Sequence, residues 1–249
     1  MTKLFASDFD GTLFMHRRKP PIAQETADAV RKFQDEGNLF GLCTGRPLWL
    51  LVPFTEGIIR PDFYIACSGA EIYDANLRAL YIAEIERTCG DAVLRYAETC
   101  GVPATFVISG RMMRCSRDIF AGLDYHRYTA EAPEGALTQI SLHCRTAEDA
   151  ASVTAEINWL FPVLQAFQNV RDIDIVAKGC SKGSGIAFLR NLYPGARVYG
   201  IGDSLNDLPL LQAADKAYTF TNAPQALRDE ADRTVDEICE ALADSLRDS

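Results

Sequence analysis

The sequence lacks the cysteine and histidine spacings that mark zinc sites and disulfide frameworks. Its eight cysteines are scattered, none stands in a CxxC pair, and several lie in apolar runs where cysteine behaves as a small hydrophobic residue. The three histidines, His16, His126 and His143, are far apart and fit no ligand spacing, so we interpret each as a surface or core residue. The pattern argues against structural zinc and disulfides, and reduced thiols are expected.

The sequence also has no excess of positive charge and no apolar run long enough to cross a bilayer. Its net charge is −9 and its pI is near 4.9, which argues against nucleic acid or an anionic membrane as a partner, because both need a basic face. The N-terminus carries no basic segment followed by a signal-peptide hydrophobic stretch. We expect a cytoplasmic protein, a monomer or a weak homodimer, with neither nucleic acid nor membrane as a partner.

Apolar runs alternate with helical periodicities at both ends of the chain. Strands are predicted at residues 3–9, 39–43, 62–67, 71–73, 80–83, 198–201 and 217–220. Helices are predicted at residues 23–36, 47–54, 184–192, 208–214, 225–231 and 236–246, with Lys182 and Gly183 directly before the third. This order is typical of an α/β fold in which right-handed crossovers place the strands in one parallel sheet.

The order changes from about residue 84. Helices are predicted there at residues 91–100 and 147–161, and strands at residues 104–109, 112–115, 137–144, 163–167 and 173–177. The mixed order predicts an α+β module (84–177) inserted into an α/β core (1–83 and 178–249). Arg111, Arg114 and Arg117 cluster in this module; they form either a solvated hairpin face or a contact to a second anionic group of a ligand.

Two aspartates follow the first predicted strand, in the run Asp8-Phe9-Asp10-Gly11-Thr12. Because side chains alternate along a strand, Asp8 and Asp10 project to the same side near its carboxyl end, where ligands bind in open α/β sheets. Two crowded carboxylates need a cation, a shared proton or a lysine to offset their charge. A plain Asx-rich turn that closes the strand is the alternative interpretation.

Three more polar segments stand at strand ends or helix starts of the same predicted core. They are Thr44-Gly45, Lys182 and the group Asp203, Asn206 and Asp207. Carboxylates with a single lysine suit a hard cation such as Mg²⁺, whereas a hydroxyl, an amide and an ammonium suit the oxygens of an anionic tetrahedral group. Such a set can support phosphoryl transfer, in which a carboxylate can act as the nucleophile.

Each segment also has a plainer interpretation. Lys182 could simply be solvated at the start of a helix, and Lys178 is a rival candidate that stands directly at a strand end. The acidic group around Asp207 could be a helix-capping box, which is compatible with metal binding. Arg46, which could bind a carbonyl or a phosphate, is left unassigned.

Taken in order, DFDGT, the threonine of CTGR, the lysine of SKG and GDSLND resemble the four motifs of the haloacid dehalogenase superfamily of phosphatases. The long insertion between the second and third motifs is similar to that of the Cof-type branch, which carries an α+β cap of the C2 type. The resemblance covers essentially the whole chain. It implies a Rossmann-like parallel-sheet core with an inserted cap.

The resemblance also implies roles for the residues of the first two motifs. Asp8 matches the nucleophile, which is also a metal ligand. Asp10 matches the general acid and base, whose backbone carbonyl normally binds the metal. Thr44, with Gly45, matches the segment that holds the phosphoryl oxygens.

The third and fourth motifs complete the implied set. Lys182 matches the lysine that binds the phosphoryl group and restrains Asp8, and Asn206 matches a phosphate contact. Asp203 matches a direct metal ligand, while Asp207 orients the metal shell or Lys182. The implied metal-binding residues are therefore Asp8, Asp10, Asp203 and Asp207.

These motifs predict a Mg²⁺-dependent phosphomonoesterase whose partner is a small phosphate-ester metabolite, with sugar phosphates as the first class to test. A phosphosugar mutase and a phospho-ligand sensor without turnover are the alternatives. Where the family often has Asn-Gly-Ala after the third strand, this chain has Ser68-Gly69-Ala70, which leaves the role of that loop open.

Overall fold

The computed structural model describes residues 2–108, the backbone of a strand at 111–114, and residues 135–248. The strands are β1 (Lys3–Ser7), β2 (Leu39–Cys43), β3 (Phe63–Ala66), β4 (Glu71–Asp74), β5 (Ala79–Ile82), β6 (Ala104–Ile108), β7 (Arg111–Arg114), β8 (Leu137–His143), β9 (Leu164–Asn169), β10 (Asp172–Ala177), β11 (Arg197–Gly202), β12 (Lys216–Phe220) and β13 (Arg233–Val235). The α-helices are α1 (Gln24–Asp35), α2 (Val52–Thr55), α3 (Arg87–Thr99), α4 (Ala147–Leu160), α5 (Lys182–Leu192), α6 (Leu208–Ala213), α7 (Gln225–Glu230) and α8 (Ile238–Arg247).

The larger sheet has the strand order β13-β12-β11-β1-β2-β3-β4-β5. From β13 to β3 every neighbouring pair is parallel, and β4 and β5 extend the sheet as an antiparallel meander. The strand β1 lies between β11 and β2, so three carboxyl ends are adjacent at the middle of the sheet. This is the position at which open α/β sheets bind ligands.

Side-chain alternation in β1 explains why both faces of this sheet are covered. Phe5 points to one face, where its ring stacks against those of Phe40 and Tyr218 and where helix α1 buries Phe33. Leu4 and Ala6 point to the other face and pack in the cluster that contains Ile186 of α5 and Leu210 of α6. Burial on both faces makes the strands continuous apolar runs, which is why they were predictable.

The smaller sheet has the order β7-β6-β8-β10-β9, and its neighbouring strands are antiparallel. One face packs against α3 and α4 through an apolar cluster that includes Phe106, Ile140 and Ile173. We call this sheet with its two helices the cap. The predicted fold class, a parallel-sheet α/β core with an inserted α+β module, is confirmed.

A buried carboxylate joins the two sheets. Glu71 on β4 is fully buried and accepts hydrogen bonds from Tyr73 Oη at 2.8 Å and from Thr138 Oγ1 of the cap at 2.6 Å. A second bond runs from Gln139 Nε2 of the cap to the Gly45 carbonyl at 3.0 Å. These bonds fix how the cap lies over the core, since a buried carboxylate without its partners is costly.

One predicted helix is absent as a continuous element. In place of a helix over residues 47–54, the chain forms a 3₁₀ turn at Leu48–Leu50 and then the short α2. Pro53 explains the break, because proline has no N–H to donate and its ring clashes with the preceding turn. At the second position of α2 that donor is not needed.

Strand β13 was not predicted. It is three residues long, its first two residues are exposed, and so it shows no alternation in the sequence. Helix α3 begins at Arg87, four residues before its predicted start at residue 91, and the other ends lie within about two residues of their predicted positions. Cys115, His126 and the side chains of the arginine cluster lie outside the described residues, and the domain limits at 83/84 and 177/178 stay predictions. No helix in the described ranges combines the length and apolarity that crossing a bilayer requires.

Candidate active site

The predicted loops meet at the carboxyl ends of three adjacent strands. Asp8 and Asp10 follow β1, Thr44 and Gly45 follow β2, and the Asp203–Asp207 loop follows β11. Lys182 is the first residue of α5, which begins with Ser181 as N-cap and a reciprocal hydrogen bond with Ser184. The N-cap hydrogen bonds fix where α5 begins, and therefore where Lys182 enters the site.

Lys182 lies at the centre of a buried ionic cluster. Its Nζ donates to Asp8 Oδ1 at 2.6 Å and to Asp207 Oδ1. Lys182, Asp8 and Asp207 are only 2%, 5% and 0% exposed. A buried ion pair is held this firmly only where each charge has good partners.

Asp203 completes the carboxylate cluster. Oxygen atoms of Asp8, Asp203 and Asp207 lie within 4.8 Å of one another. Gly11 makes this approach possible: its φ is +80°, and a Cβ there would stand 2.5 Å from Asp203 Oδ2. Thr12 Oγ1 donates to Asp203 Oδ1 at 3.1 Å, so the first motif positions a residue of the fourth.

Charge in the cluster is not balanced by the lysine alone. Burial, followed by the charge of Asp207, raises the pKa of Asp8 well above its ordinary value, and burial likewise raises the pKa of Asp203. Burial by itself would lower the pKa of Lys182, but Asp207 and Asp8 outweigh it and raise that pKa. The lysine therefore stays charged, and the surplus negative charge favours a further cation or a proton.

The donor chemistry fits a hard divalent cation, because carboxylate oxygens are the ligands that such ions prefer. Asp8 and Asp203 line the cavity between the core and the cap that is described below. Asp207 is more fully occupied: besides Lys182, it accepts the backbone N–H groups of Asp203 and Ser204, both at 3.0 Å. Its carboxylate is therefore built to hold the lysine and the fourth loop as much as to bind a metal.

The side chain of Asp10 bonds to residues outside the carboxylate cluster. Arg46 donates to both of its oxygens, from Nε and from Nη2, each at 2.6 Å, and His16 Nε2 lies 2.7 Å from Oδ1. The guanidinium of Arg46 in turn lies over the rings of Phe9 and Phe54, at 5.2 and 5.4 Å from their centroids. The arginine is therefore fixed from both sides.

Sequence reasoning left Arg46 unassigned and interpreted His16 as a plain surface or core residue. No local sequence pattern identifies either residue, because it is the fold that brings both of them to their partner Asp10. The one available hint was position: Arg46 belongs to the same loop as Thr44 and Gly45, and His16 lies six residues after Asp10.

The remaining predicted residues line a cavity of about 350 Å³ between the core and the cap. Thr44, Gly45, Asp10 and Asn206 form part of its core side. On the opposite side is a set of polar residues from β6, β8 and β10, which we call the cap wall: Thr105, Gln139, Ser141, His143, Asp172 and Asp174. A cavity of this size can enclose a small ligand.

The cap wall was not identified from the sequence, although a signal was present. In the run Gln139-Ile140-Ser141-Leu142-His143, polar and apolar residues alternate, and Asp172 to Ile175 does the same. Alternation predicts one polar face. It does not say what that face meets.

Comparison with known proteins agrees with the fold and the motifs. A family model described as haloacid dehalogenase-like hydrolase matches residues 5–243. The chain belongs to this family. It is therefore a hydrolase of the haloacid dehalogenase type, and the resemblance of the four motifs is confirmed.

Relatives and solved structures match over nearly the full length. The 5-amino-6-(5-phospho-D-ribitylamino)uracil phosphatase YwtE of Bacillus subtilis is 21% identical, over 92% of this chain and 91% of that protein. A haloacid dehalogenase-like hydrolase structure from B. subtilis has a TM-score of 0.86 at 18% identity, covering 97% of this chain and 99% of that one. A subclass IIB sugar phosphatase structure has a TM-score of 0.82 at 23% identity, covering 98% of both chains. At these identities the structures establish the fold alone.

Proposed function

We propose that this hydrolase is a Mg²⁺-dependent phosphomonoesterase that cleaves small phosphorylated metabolites, sugar phosphates foremost, through an aspartyl-phosphate on Asp8. The observation that carries the proposal is the buried cluster in which Lys182 pairs with Asp8 and Asp207 while Asp203 lies within ligand distance. Family membership supports the phosphatase activity. The roles of single residues are our assignment.

Asp8 acts as the nucleophile in the first step. One oxygen of Asp8 is held by Lys182 Nζ, which leaves the other oxygen to attack phosphorus. As the new O–P bond forms, the bond from phosphorus to the leaving-group oxygen breaks. Thr44, Gly45, Lys182 and Asn206 bind the phosphoryl oxygens, because hydroxyl, backbone N–H, ammonium and amide groups all donate to such anions.

Asp10 moves the protons. Its carboxyl group gives a proton to the departing alkoxide, then takes one from the water that attacks phosphorus, and the bond from phosphorus to Asp8 breaks to release phosphate. Arg46 positions Asp10 through two hydrogen bonds. The exposed His16 is placed to exchange the proton between Asp10 and solvent.

Asp8 and Asp203, with the backbone carbonyl of Asp10, would hold the magnesium ion, and Asp207 would help to position that shell and Lys182. When bound, Mg²⁺ supplies positive charge that offsets the crowded carboxylates and the charge on the phosphoryl group. The raised pKa values of Asp8 and Asp203 support this assignment, since their surplus charge needs an opposite one.

The proposed substrate class follows from the size and polarity of the cavity. About 350 Å³ lined by hydroxyl, amide, imidazole and carboxylate groups suits a monosaccharide or polyol phosphate better than an apolar ester. Two similar proteins, a 5-amino-6-(5-phospho-D-ribitylamino)uracil phosphatase and a sugar phosphatase, support this choice of class.

Phosphate release from p-nitrophenyl phosphate and from a sugar-phosphate panel, with Mg²⁺ and with chelator, tests the proposal. Because Asp8 is the nucleophile, Asp8→Asn should lower turnover at least about a thousandfold. Asp35→Asn, at the exposed end of α1, is the matched control and should keep full activity. Release no higher than that of Asp8→Asn on every substrate would refute the proposal. Isomerised sugar phosphate that forms only with added sugar bisphosphate would replace it by a mutase.

A further inference from the structure

The cap wall is the polar face of an amphipathic sheet. On β8, Gln139, Ser141 and His143 line the cavity, while Ile140 and Leu142 are buried against the cap helices. On β10, Asp172 and Asp174 line it in the same way. Alternate side chains over residues 139–143 and 172–174 therefore line the cavity opposite the proposed phosphoryl site.

Strand register pairs these residues into a fixed array. Asp172 stands opposite His143 and Asp174 opposite Ser141. His143 Nδ1 lies 2.9 Å from Asp172 Oδ1, and Nε2 lies 3.0 Å from Thr105 Oγ1. Ser141 Oγ donates to Asp174 Oδ1 at 2.8 Å. The array is held in place before any ligand binds, which lowers the entropic cost of recognition.

The second carboxylate oxygen of Asp174, Oδ2, is available to a ligand, whereas Oδ1 is bonded to Ser141. The residue is only 9% exposed, yet no residue that the structure describes donates a hydrogen bond to Oδ2. This oxygen faces the second core loop so closely that a Cβ on Gly45 would stand 2.4 Å from it. Because Asp174 lines the cavity, this oxygen is accessible to a bound ligand and can accept a hydrogen bond from it.

The charges on the cap wall point the same way, and Arg46, the cation on the core side of the cavity, is already paired with Asp10. In the described part of the cap wall, the carboxylates of Asp172 and Asp174 face a single imidazole, and that imidazole is already paired with Asp172. A second phosphate or a carboxylate on the ligand would meet Asp174 at close range. Like charges repel strongly where water is excluded.

We infer that the cap wall selects phosphate monoesters whose leaving group carries hydroxyl or ammonium donors and no second anionic group, with Asp174 Oδ2 accepting a hydrogen bond from that leaving group. This inference rests on the proposed phosphomonoesterase activity. Asp174 is thereby a specificity-determining residue. Thr105, Ser141 and the His143–Asp172 pair hold the array in which it works.

A pair of substrates that differ at one carbon tests the inference. Sorbitol 6-phosphate and 6-phosphogluconate share the ester and the chain of hydroxyls, but the far end is a CH₂OH group in the first and a carboxylate in the second. The measured quantity is the ratio of their kcat/KM values within each variant, so that any general loss of activity cancels. For the wild type we expect a ratio of at least about 30 in favour of sorbitol 6-phosphate.

Asp174→Asn removes the charge but keeps the size and the contact with Ser141. It should lower the ratio to below about 5, because the repulsion of the carboxylate is gone. Asp172→Asn provides a second variant and should lower the ratio by a smaller factor. Asp149→Asn, exposed on α4, makes the same chemical change in the cap outside the cavity and should leave the ratio unchanged.

Glucosamine 6-phosphate and glucose 6-phosphate then separate the two donors. Preference for the amine that is lost in Asp174→Asn identifies an ammonium partner, and equal rates identify a hydroxyl. A wild-type ratio below about 3 for the first pair, with p-nitrophenyl phosphate still hydrolysed, would overturn the inference and leave the proposed function standing. No phosphate release from any ester would overturn both.

Discussion

The carboxylates of the core loops and those of the cap wall face the same cavity but differ in what surrounds them. Asp8 and Asp207 share a buried lysine, and Asp207 also accepts two backbone N–H groups, so both carboxylates are held in place by groups of the protein. Asp174 has one serine and an oxygen with no donor among the described residues. In the core loops the protein itself supplies hydrogen-bond donors to the carboxylates. On the cap wall, Asp174 Oδ2 is left to accept a hydrogen bond from the ligand.

This difference separates two kinds of variant. Changes in the core loops should slow every substrate alike. Changes in the cap wall should alter the ratio between substrates.

Lys182→Met should have the largest effect. It leaves Asp8 and Asp207 buried without their cation, so the free energy of unfolding should fall by about 3–5 kcal/mol. Turnover of all substrates should fall at least about a thousandfold, with no change in their ratio. Urea unfolding and phosphate release measure the two quantities.

Lys178→Met is the matched control for this change. Lys178 is exposed, and its Nζ donates to Gln165 Oε1 at 2.9 Å, outside the ionic cluster. It should retain both stability and turnover. Equal losses in the two variants would show that Lys182 has no special place in the site.

Arg46→Lys should have an intermediate effect. Lysine keeps the charge but cannot form the two-pronged contact with Asp10, so kcat should fall about 10- to 100-fold for sorbitol 6-phosphate and 6-phosphogluconate alike. Arg60→Lys, on an exposed loop, serves as control. A change confined to one of the two substrates would assign Arg46 to ligand selection instead of proton transfer.

Gly45→Ala tests the contact between the loop that follows β2 and the cap wall. Its methyl group would stand 2.4 Å from Asp174 Oδ2, so the carboxylate must move and the substrate ratio should fall about 3- to 10-fold. In an Asp174→Ala background the obstructing oxygens are gone, and the same change should add nothing to the ratio. Additive effects in this double-mutant cycle would contradict the contact.

Asp174→Asn should have the smallest effect, and it should raise the free energy of unfolding. Burial, opposed by Ser141, raises the pKa of Asp174 from its ordinary 3.8 to about 6. Because the folded value is the higher one, this group stabilises the fold below pH 3.8, and the contribution is lost as pH rises through 6. At pH 7 the variant should be more stable than the wild type by at most about 2–3 kcal/mol.

Unfolding of both proteins by urea between pH 4 and pH 7 measures this effect. The gain should be near zero at pH 4, where both side chains are neutral. A gain that does not depend on pH would mean that packing, and not the buried charge, sets the stability of this position.

The core loops were predictable because each combines a buried apolar strand with polar residues directly after it. Strand β2 has the predicted limits, and Lys182 starts α5 as its position before a helical pattern indicated. Local sequence sufficed there, because each loop follows a strand whose carboxyl end lies at the same edge of the sheet.

The cap wall was not predictable to the same depth. Alternation at Gln139–His143 indicates a polar face, but only the packing of the cap over the core brings Asp174 to Gly45. The partners of Asp10 were missed for the same reason, since Arg46 is 36 residues away in sequence. The predicted helix over residues 47–54 was wrong because Pro53 interrupts it.

Chemical trapping of the phosphoenzyme tests the account most directly. Wild-type protein is mixed with sorbitol 6-phosphate and Mg²⁺, quenched, and treated with borohydride, which reduces an acyl phosphate to an alcohol. Peptide mass spectrometry should then find the side chain at position 8 reduced, and Asp10, Asp203 and Asp207 intact. Efficient phosphate release with an unmodified Asp8, or with the label on another carboxylate, would contradict the account.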